Sequence, residues 1–223
     1  MTVPKGVQAF REHYQRTEVS RFYHPVFHVF FEFGLGLVAL CFALYQVEDF
    51  KLRHIALFLG MLLIANVIEY IAHRFVLHRK IRFLRFAYRE HTELHHSYFT
   101  HDAYEITAPI DIHRVLFPPI GILIFMGLLA APLSLLTALL LSPTDGWIVF
   151  ATSVFYFLLY ELFHLGSHFS FSKRIPGFRF IREHHRMHHD PRKMQTTAFN
   201  VTFPLVDTLL AWIESVSKKT PSH

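Results

Sequence analysis

Cysteine and charged side chains are both scarce in this 223-residue sequence. The single cysteine, Cys41, lies in an apolar run, so a disulfide framework is excluded and a thiolate metal site is not expected. Charged residues make up 17% of the chain and hydrophobic residues 52%, which is more apolar than a soluble domain usually is. The formal net charge of +5 therefore suggests contact with a membrane surface, and no nucleic-acid partner is expected.

Four long apolar segments predict an all-α integral membrane protein with about four transmembrane helices. They cover residues 26–47, 55–72, 115–144 and 147–165, and each is long enough to cross a bilayer as a helix. The third segment contains no Asp, Glu, Lys or Arg. Its three prolines are expected to play two roles. Pro118 and Pro119 are expected at the start of the helix, and Pro132 is expected to kink it.

Lys and Arg are distributed unevenly over this layout. Twenty of the 22 fall in the N-terminal region, in the loop between the second and third segments, or after the fourth segment. Four spans place all three regions on one side, and such a bias marks the cytoplasmic side. The sequence therefore predicts cytoplasmic termini, with an N-terminal cytoplasmic or interfacial arm over 1–25, a membrane domain over 26–215 and a tail over 216–223.

The 18 histidines are the most unusual feature of the composition, and many of them form four clusters. One cluster ends the second segment, one lies in the following loop, one ends the fourth segment, and one lies in the stretch EHHRMHHD. All four fall on the side predicted to be cytoplasmic, whereas isolated histidines such as His28 and His54 are interpreted as surface or interfacial. The clusters contain His73 and His78; His91, His95 and His96; His164 and His168; and His184, His185, His188 and His189.

The spacing within the clusters predicts a site for two metal ions on a cytoplasmic helical cap. On an α-helix, residues four apart share a face and adjacent residues point about 100° apart. Diverging pairs, such as His95–His96 and His73–His78, could therefore contact two different ions. A proton relay or a flexible histidine-rich metal buffer is the alternative, but helical spacing anchored to spans favours a defined site. The pairs expected to share a face are His91 and His95, His164 and His168, and His185 and His189, with His188 on nearly the same stripe.

Five further polar residues are candidates for contacts that orient the metal-binding rings. Glu69 and Glu161 lie within spans, each about one turn before a clustered histidine, and each could accept a hydrogen bond from a ring N–H. The alternative for both is an interfacial glutamate that reaches water. His101, His184 and Asn200 are the other candidates. A turn or cap is the alternative for Asn200, and His184 is expected to tolerate substitution best in its cluster.

Four stretches of the sequence resemble the fatty acid hydroxylase superfamily, which also contains sterol desaturases and carotenoid hydroxylases. They are EYIAHRFVLH, HTELHH, YELFHLGSH and EHHRMHHDPRKMQTTAFNVTFPLVDTLL, and the similarity covers residues 64–212. The pair of histidines on the fourth span and the stretch HDAYEITAPIDIHRVLFPP look most like fatty acid 2-hydroxylases. One departure is the second box, which reads HxxxHH here and HxxHH in those enzymes.

The resemblance implies a membrane-bound di-iron oxygenase that uses O2 to hydroxylate a lipid acyl chain. Two iron ions are the expected cofactors, with zinc as an alternative occupant in purified protein. A desaturase, sterol oxidase or carotenoid hydroxylase would share this site and differ in its product. Carried over onto this sequence, the metal ligands are His73, His78, His91, His95, His96, His164, His168, His185, His188 and His189.

The sequence contains no obvious source of electrons for such a reaction. It has no flavin or dinucleotide glycine fingerprint, no cysteine cluster and no cytochrome b5-like module. We therefore expect an external donor, a ferredoxin or a cytochrome b5 with its reductase, that docks on the basic cytoplasmic face. The non-enzyme alternative is a membrane metal-binding or transport protein. Histidines gathered at one face, beside an uncharged third span, argue against a conduit.

Overall fold

The computed structural model describes residues 3–218, which form helices joined by turns and loops, without a β-strand. The all-α prediction is therefore confirmed. Residues 1 and 2 lie outside the described residues, as do residues 219–223, which make up most of the predicted tail. The α-helices are α1 (Lys5–Thr17), α2 (Pro25–Tyr45), α3 (Leu52–Ala72), α4 (Arg85–Tyr88), α5 (His96–Tyr98), α6 (Ile120–Phe125), α7 (Ala131–Leu140), α8 (Pro143–His168), α9 (Pro176–His188) and α10 (Leu205–Ser217).

Within residues 3–218, four helical stretches are long and apolar enough to cross a membrane, as the sequence predicts. The second and fourth stretches extend beyond the apolar segments of the sequence and include clustered histidines near their ends. The second contains His73 and ends at Leu77, and the fourth ends at His168. Large apolar side chains such as those of Phe30, Leu128 and Leu139 are mostly exposed, as expected for helices that face lipid tails. The four stretches are Pro25–Tyr45, Leu52–Leu77, Ile120–Leu140 and Pro143–His168.

The third span accommodates its prolines in two ways. Its helix begins directly after Pro118 and Pro119, where the missing N–H groups have no helical partner to lose. A π-helical turn, Met126–Ala130, comes just before Pro132 and joins α6 to α7. Such a turn holds one extra residue and rearranges the backbone hydrogen bonds that a proline would otherwise leave unmade.

The chain divides into two compact units. The span unit contains residues 14–65 and 107–165, and the histidine unit contains residues 3–13, 66–106 and 166–218. The predicted boundaries of arm, membrane domain and tail stay a prediction.

The core of the span unit lies between its long helices. Ile122, Val154, Phe157 and Leu158 are buried together, with apolar side chains of α2 packed around them. A Cβ atom built on Gly36 of α2 would lie 2.5 Å from Cδ2 of Leu158. Glycine therefore lets α2 approach α8 at this level.

A second close approach in the span unit joins α7 to the first turn of α8. A Cβ atom on Gly146 would lie 2.7 Å from Cβ of Ala138 and 2.7 Å from the carbonyl oxygen of Ser134. The hydroxyl of Ser134 donates a 2.8 Å hydrogen bond to the carbonyl oxygen of Gly146. The absence of a side chain at Gly146 thus permits both the packing and the hydrogen bond.

Two histidines of the span unit, His28 and His54, are almost fully buried, so their interpretation as surface residues is wrong, and a position at the membrane interface stays a prediction. His28 donates from Nε2 to the carbonyl oxygen of Phe117 at 2.7 Å, and its Nδ1 accepts from the hydroxyl of Tyr23 at 3.0 Å. Nε2 of His54 lies 3.4 Å from Oδ1 of Asp145. Each ring therefore has a polar neighbour in its own unit, which accounts for its burial.

In the histidine unit, α9 carries part of the fourth cluster. The helix begins at Pro176, a favourable first position for proline, and places His185 and His188 on its buried side. A Cβ atom on Gly166, in the last turn of α8, would lie 2.3 Å from Cε1 of Phe178. This close contact sets the distance between α9 and the end of α8.

Candidate metal centre

The first two histidine clusters lie on π-helical turns. His73 begins the π turn His73–Leu77, with His78 directly after it, and the π turn Arg89–His95 carries most of the second cluster. In a π turn, residues five apart come together as residues four apart do on an α-helix. The ring centroids of His73 and His78 lie 5.2 Å apart. The prediction that these two rings diverge toward different ions is therefore wrong.

Five buried imidazoles converge in the histidine unit and form the first group. Each offers one ring nitrogen, and these nitrogens all lie within 4.8 Å of one another. The two shortest separations between Nε2 atoms are 2.8 Å, for His73 with His91 and for His78 with His188. The group consists of His73, His78, His91, His96 and His188.

The second cluster divides between two groups of rings. His95 and His96 diverge, as predicted, and face different groups. Nε2 of His91 lies 3.1 Å from Nε2 of His96, because the π turn brings residues five apart together. The rings of His91 and His95 stack with their centroids 5.2 Å apart, as their predicted shared face requires, although they belong to different groups.

The second group lies in the same unit and includes His95, His168 and His185. The ring centroid of His168 is 5.2 Å from that of His95 and 5.3 Å from that of His185. Nε2 of His189 lies 3.2 Å from Nε2 of His95 and also 3.2 Å from Nε2 of His185. The ring of His189 stacks on that of His96 at 4.4 Å, so it lies between the two groups.

Backbone carbonyls fix the tautomers of four rings. A carbonyl oxygen can only accept, so the Nδ1 atom that faces it carries the hydrogen and Nε2 keeps its lone pair. Such a partner also holds the ring in one orientation for metal binding. The hydrogen bonds run from His73 to Phe199 (2.5 Å), from His188 to Thr197 (3.1 Å), from His168 to Tyr104 (2.8 Å), and from His189 to Phe99.

His78 and His188 face each other with two lone pairs. The hydroxyl of Thr92 donates its hydrogen to the carbonyl oxygen of Leu77 at 2.7 Å, so its oxygen accepts from Nδ1 of His78 at 3.2 Å. His188 donates its Nδ1 hydrogen to Thr197. Both Nε2 atoms, which are 2.8 Å apart, are therefore acceptors. Two buried acceptors at this distance repel each other unless a cation binds both.

The distances between ring nitrogens match the distances expected between two ligands of one metal ion. Nitrogen ligands lie about 2.0–2.1 Å from zinc, so two ligands on neighbouring positions of one ion are roughly 3 Å apart. The shortest Nε2–Nε2 distances here run from 2.8 to 3.2 Å. Neutral imidazole is a suitable ligand for iron and zinc, as it is for copper and nickel. The residues of both groups therefore fit divalent metal ions.

Burial, followed by repulsion from neighbouring rings, lowers the pKa of clustered histidines outside the spans. The pKa of His78 falls to about 2 and, chiefly through burial, that of His189 falls to about 3. The same causes hold the pKa values of His91, His96 and His188 well below their usual value. These rings are therefore neutral at pH 7, the form that binds a metal.

Glu69 anchors the backbone segment that supports the first group. Its carboxylate accepts from the N–H groups of Val201 (2.5 Å) and Thr202 (3.0 Å) and from the hydroxyl of Thr202 (2.6 Å). Phe199, at the start of this segment, provides the carbonyl oxygen for His73. Glu69 thus supports His73 through the backbone, and its predicted direct hydrogen bond to a ring stays a prediction.

Asp207 of α10 holds the same segment from the other side. Its carboxylate accepts from the N–H groups of Phe199 (3.1 Å) and Asn200 (2.7 Å), and Nε2 of His184 lies 3.3 Å away. Burial alone would raise the pKa of Asp207, but the hydrogen bonds from His184, Asn200 and Phe199 lower it. The side chain of Asn200 donates to the carbonyl oxygen of Asn66 at 2.9 Å. His184 and Asn200 therefore contact the support of the first group.

Arg11, which the sequence analysis missed, holds the loop that follows the second cluster. It belongs to α1, in the predicted arm, yet only 2% of it is exposed. Its Nε donates to the carbonyl oxygen of Tyr98 at 2.8 Å, and its Nη2 donates to that of Ala103 at 2.6 Å. Its guanidinium also stacks 5.1 Å from the ring of Phe99, the residue that provides the carbonyl oxygen for His189.

Arg182, a second buried arginine of the histidine unit, joins α9 to the end of α8. Its Nη1 donates to the carbonyl oxygen of Ser167 at 2.7 Å, and its Nη2 donates to Oε1 of Glu105 at 2.8 Å. Its guanidinium lies 5.0 Å from the ring of Tyr104. Tyr104 provides the carbonyl oxygen for His168, so Arg182 supports that ring.

The remaining predicted site residues lie as follows. His164 is buried on α8, one helical turn before His168, so the predicted spacing on a regular α-helix is present. Glu161 is fully buried on the same helix, and its contact with a ring stays a prediction. Nδ1 of His101 lies 3.1 Å from Oδ1 of Asp102, and the carbonyl oxygen of His101 accepts a hydrogen bond from Nε of Arg186 at 3.1 Å.

Comparison with known proteins gives a consistent picture. The family model of fatty acid hydroxylases matches residues 58–211. The chain is 28% identical over 153 residues to the fatty acid 2-hydroxylase of Mus musculus, covering 69% of this chain and 38% of that protein. It is 27% identical over 158 residues to the dihydroceramide fatty acyl 2-hydroxylase of Arabidopsis thaliana, covering 70% of this chain and 60% of that protein. The chain thus spans about two fifths and three fifths of these relatives, and no solved structure matches it significantly.

The described residues contain four helices able to span a membrane. They also contain two groups of buried histidines that could hold metal ions. These features define the class of membrane proteins with a histidine-rich metal site. Within that class, the family match covers more than half of the sequence. The chain belongs to the fatty acid hydroxylase family.

Proposed function

We propose that this chain is a membrane-bound di-iron oxygenase that hydroxylates a lipid acyl chain. The observation that carries the proposal is the pair of buried acceptors His78 and His188, 2.8 Å apart, in a member of a hydroxylase family. One O2, two electrons and two protons convert a C–H bond into an alcohol and one water. Both relatives are 2-hydroxylases by name, which favours hydroxylation at position 2 of the chain.

The geometry supports the following roles for the protein's own residues. Iron, when bound, would supply the redox chemistry that attack on an unactivated C–H bond requires, whereas zinc, the alternative occupant, would not. Backbone carbonyls hold four rings in the metal-binding tautomer, and burial keeps water from the nitrogens. The ten proposed ligands are His73, His78, His91, His95, His96, His164, His168, His185, His188 and His189.

We propose that the substrate is a membrane lipid whose chain reaches the site from the bilayer. The spans end on histidine-bearing turns at Leu77 and His168, so the histidines lie near the membrane surface. The bias of Lys and Arg supports a cytoplasmic site and cytoplasmic termini.

Electrons would come from an external acidic donor, a ferredoxin or a cytochrome b5 with its reductase. Exposed cations after the fourth span, including Lys173, Arg174 and Arg179, offer a docking surface of opposite charge. Purified enzyme supplied with each donor and its reductase should turn over, and turnover should fall as salt rises. Turnover with a chemical reductant but with neither protein donor would contradict the docking proposal.

Lipid mass spectrometry after expression in a lipid-producing host tests the reaction. A gain of one oxygen on acyl chains, placed at position 2 by fragmentation, is the expected result. Loss of two hydrogens would instead establish a desaturase, and a gain of oxygen on carotenoids or sterols would change the substrate class.

Substitution of the facing acceptors tests the metal site. His78→Ala and His188→Ala should each abolish the oxygenated product and lower the metal content per chain, because each removes a ligand from a group of buried rings. His13→Ala, an exposed histidine of α1, is the matched control and should leave both unchanged. Full activity in either ligand variant would contradict the di-metal site.

A further inference from the structure

The loop between the first two clusters exposes a basic and aromatic segment. Residues 79–89 (RKIRFLRFAYR) contain five cations and no acid, and all eight residues from 79 to 86 are exposed. Phe83 is 88% exposed and Phe86 is 66% exposed. Large apolar side chains interleaved with cations in this way are typical of segments that lie at a membrane surface.

The position of the segment along the chain supports the same conclusion. The helix of the second span ends at Leu77, two residues before the segment, so the segment begins close to the membrane surface. At that depth Phe83 and Phe86 can reach the edge of the acyl chains, while long basic side chains reach the phosphates. Large apolar side chains exposed together on one short segment mark a surface that contacts a membrane or another protein.

Part of the segment lines a cavity of about 180 Å³ that is open to the surface. A water molecule occupies about 30 Å³ in the liquid, so a phosphate group fits in this volume. Three cations and one carboxylate line it, and this leaves a net positive charge. The lining residues are Lys80, Arg85, Phe86, Tyr88, Arg89 and Glu93.

The cations of the segment differ in how far they are already paired. Nζ of Lys80 lies 3.2 Å from Oε1 of Glu93, and Nη1 of Arg89 lies 2.7 Å from Oε1 of Glu90. Among the described residues, no carboxylate lies within ion-pair distance of Arg82 or Arg85. These two guanidinium groups are therefore available to an anion, and the guanidinium fork matches a phosphate in two hydrogen bonds.

We propose that residues 79–89 form a binding site for the headgroup of an anionic membrane phospholipid. Its phosphate lies in the cavity against Arg85, with Arg82 beside it, and its acyl chains lie against Phe83 and Phe86. The segment joins His78 to the π turn Arg89–His95, so the bound headgroup lies next to the first histidine group in the chain. The site does not depend on the proposed reaction, because binding is measured without substrate or electron donor.

Retention of lipid by the full chain tests the proposal. The protein is reconstituted in phosphatidylcholine nanodiscs that contain a minority of phosphatidylglycerol, released into mild detergent, and weighed by native mass spectrometry. The unaltered chain should retain phosphatidylglycerol in preference to phosphatidylcholine. The double variant Arg82→Gln, Arg85→Gln should lower that retention roughly tenfold, since each basic residue near an anionic surface contributes several-fold.

A matched variant separates a defined site from general attraction. Lys173→Gln, Arg174→Gln removes the same charge from other exposed positions and should retain phosphatidylglycerol as the unaltered chain does. Equal loss in both double variants, or loss in neither, would overturn the proposal. Displacement of the lipid by inorganic phosphate alone would assign the cavity to a free anion and would also overturn it. Unchanged metal content in the Arg82, Arg85 variant shows that the fold is retained.

Discussion

Nη2 of Arg11 donates a 2.6 Å hydrogen bond to the carbonyl oxygen of Ala103, 92 positions later in the chain. Its Nε binds the carbonyl oxygen of Tyr98 in the same loop. Phe99, inside this loop, provides the carbonyl oxygen that orients His189. A residue outside the part of the chain that the family model matches thus helps to hold a ring of the metal site.

Substitution of Arg11 should therefore weaken both the fold and metal binding. Arg11→Ala removes two buried hydrogen bonds from a charged donor, each typically worth about 1.5–3 kcal/mol, so the melting temperature and the metal content per chain should fall. Arg11→Lys keeps the charge but loses the forked guanidinium group. Its melting temperature and metal content should lie between those of Arg11→Ala and the unaltered chain. Lys5→Ala, exposed on the same helix, should match the unaltered chain. Full metal content in Arg11→Ala would show that the loop holds its shape alone.

Glu69→Gln should loosen the segment that carries Phe199. The amide keeps one oxygen for the N–H groups of Val201 and Thr202 but turns its NH2 group toward the hydroxyl of Thr202, so about 1–3 kcal/mol of stability should be lost. Thr202→Val removes only the hydroxyl donor and should cost less. Melting temperature and metal content of the two variants provide the comparison, and a larger effect of Thr202→Val would contradict the role of the carboxylate.

Acid should destabilise the metal-free protein well before its carboxylates titrate. Burial lowers the folded-state pKa of His78 to about 2 and that of His189 to about 3, whereas an unfolded histidine titrates near 6.5. Below about pH 6.5 the unfolded chain binds more protons than the folded chain, so stability falls as the pH falls. Melting temperatures of metal-free protein should therefore drop between pH 7.5 and pH 5.5. A higher melting temperature at pH 5.5 would contradict neutral buried rings.

Gly146 and Gly60 should respond to alanine in opposite directions. A methyl group at Gly146 would meet the carbonyl oxygen of Ser134 and Cβ of Ala138 at 2.7 Å, so Gly146→Ala should cost about 1–3 kcal/mol through overpacking. A Cβ at Gly60, inside α3, meets nothing within 4 Å. Gly60→Ala should therefore stabilise the helix by up to about 1 kcal/mol. Thermal unfolding in detergent measures both, and equal destabilisation would argue against the close contact of α7 and α8.

Sequence periodicity predicted the features that depend on regular α-helices. The four spans followed from length and polarity alone, and His164 and His168 lie one turn apart because α8 is regular to its end. Periodicity failed where the helix changes pitch, since the 3.6-residue repeat contains no signal for the π turns that bring His73 to His78. The pairing of these rings is set by tertiary packing of the histidine unit.

The groups that orient the metal-site rings could not be predicted from the sequence for a different reason. His73 and His189 are oriented by carbonyl oxygens of Phe199 and Phe99, and a backbone acceptor leaves no trace in the residue type. Arg11 did leave a signal. Val7, Phe10 and Tyr14 recur at helical spacing around it, which indicates a helix with one face buried in an arm otherwise rich in polar residues.

The π turn Arg89–His95 has a consequence for comparing histidine boxes between relatives. On an α-helix, the first and last histidines of HxxHH are one turn apart; in HxxxHH, the wider turn gives His91 and His96 the same relationship. We expect helical pitch to absorb the additional residue, so that the box is longer while the same rings meet. Alignments of such boxes should therefore match histidines by their phase around the helix axis, with the gap placed inside the turn.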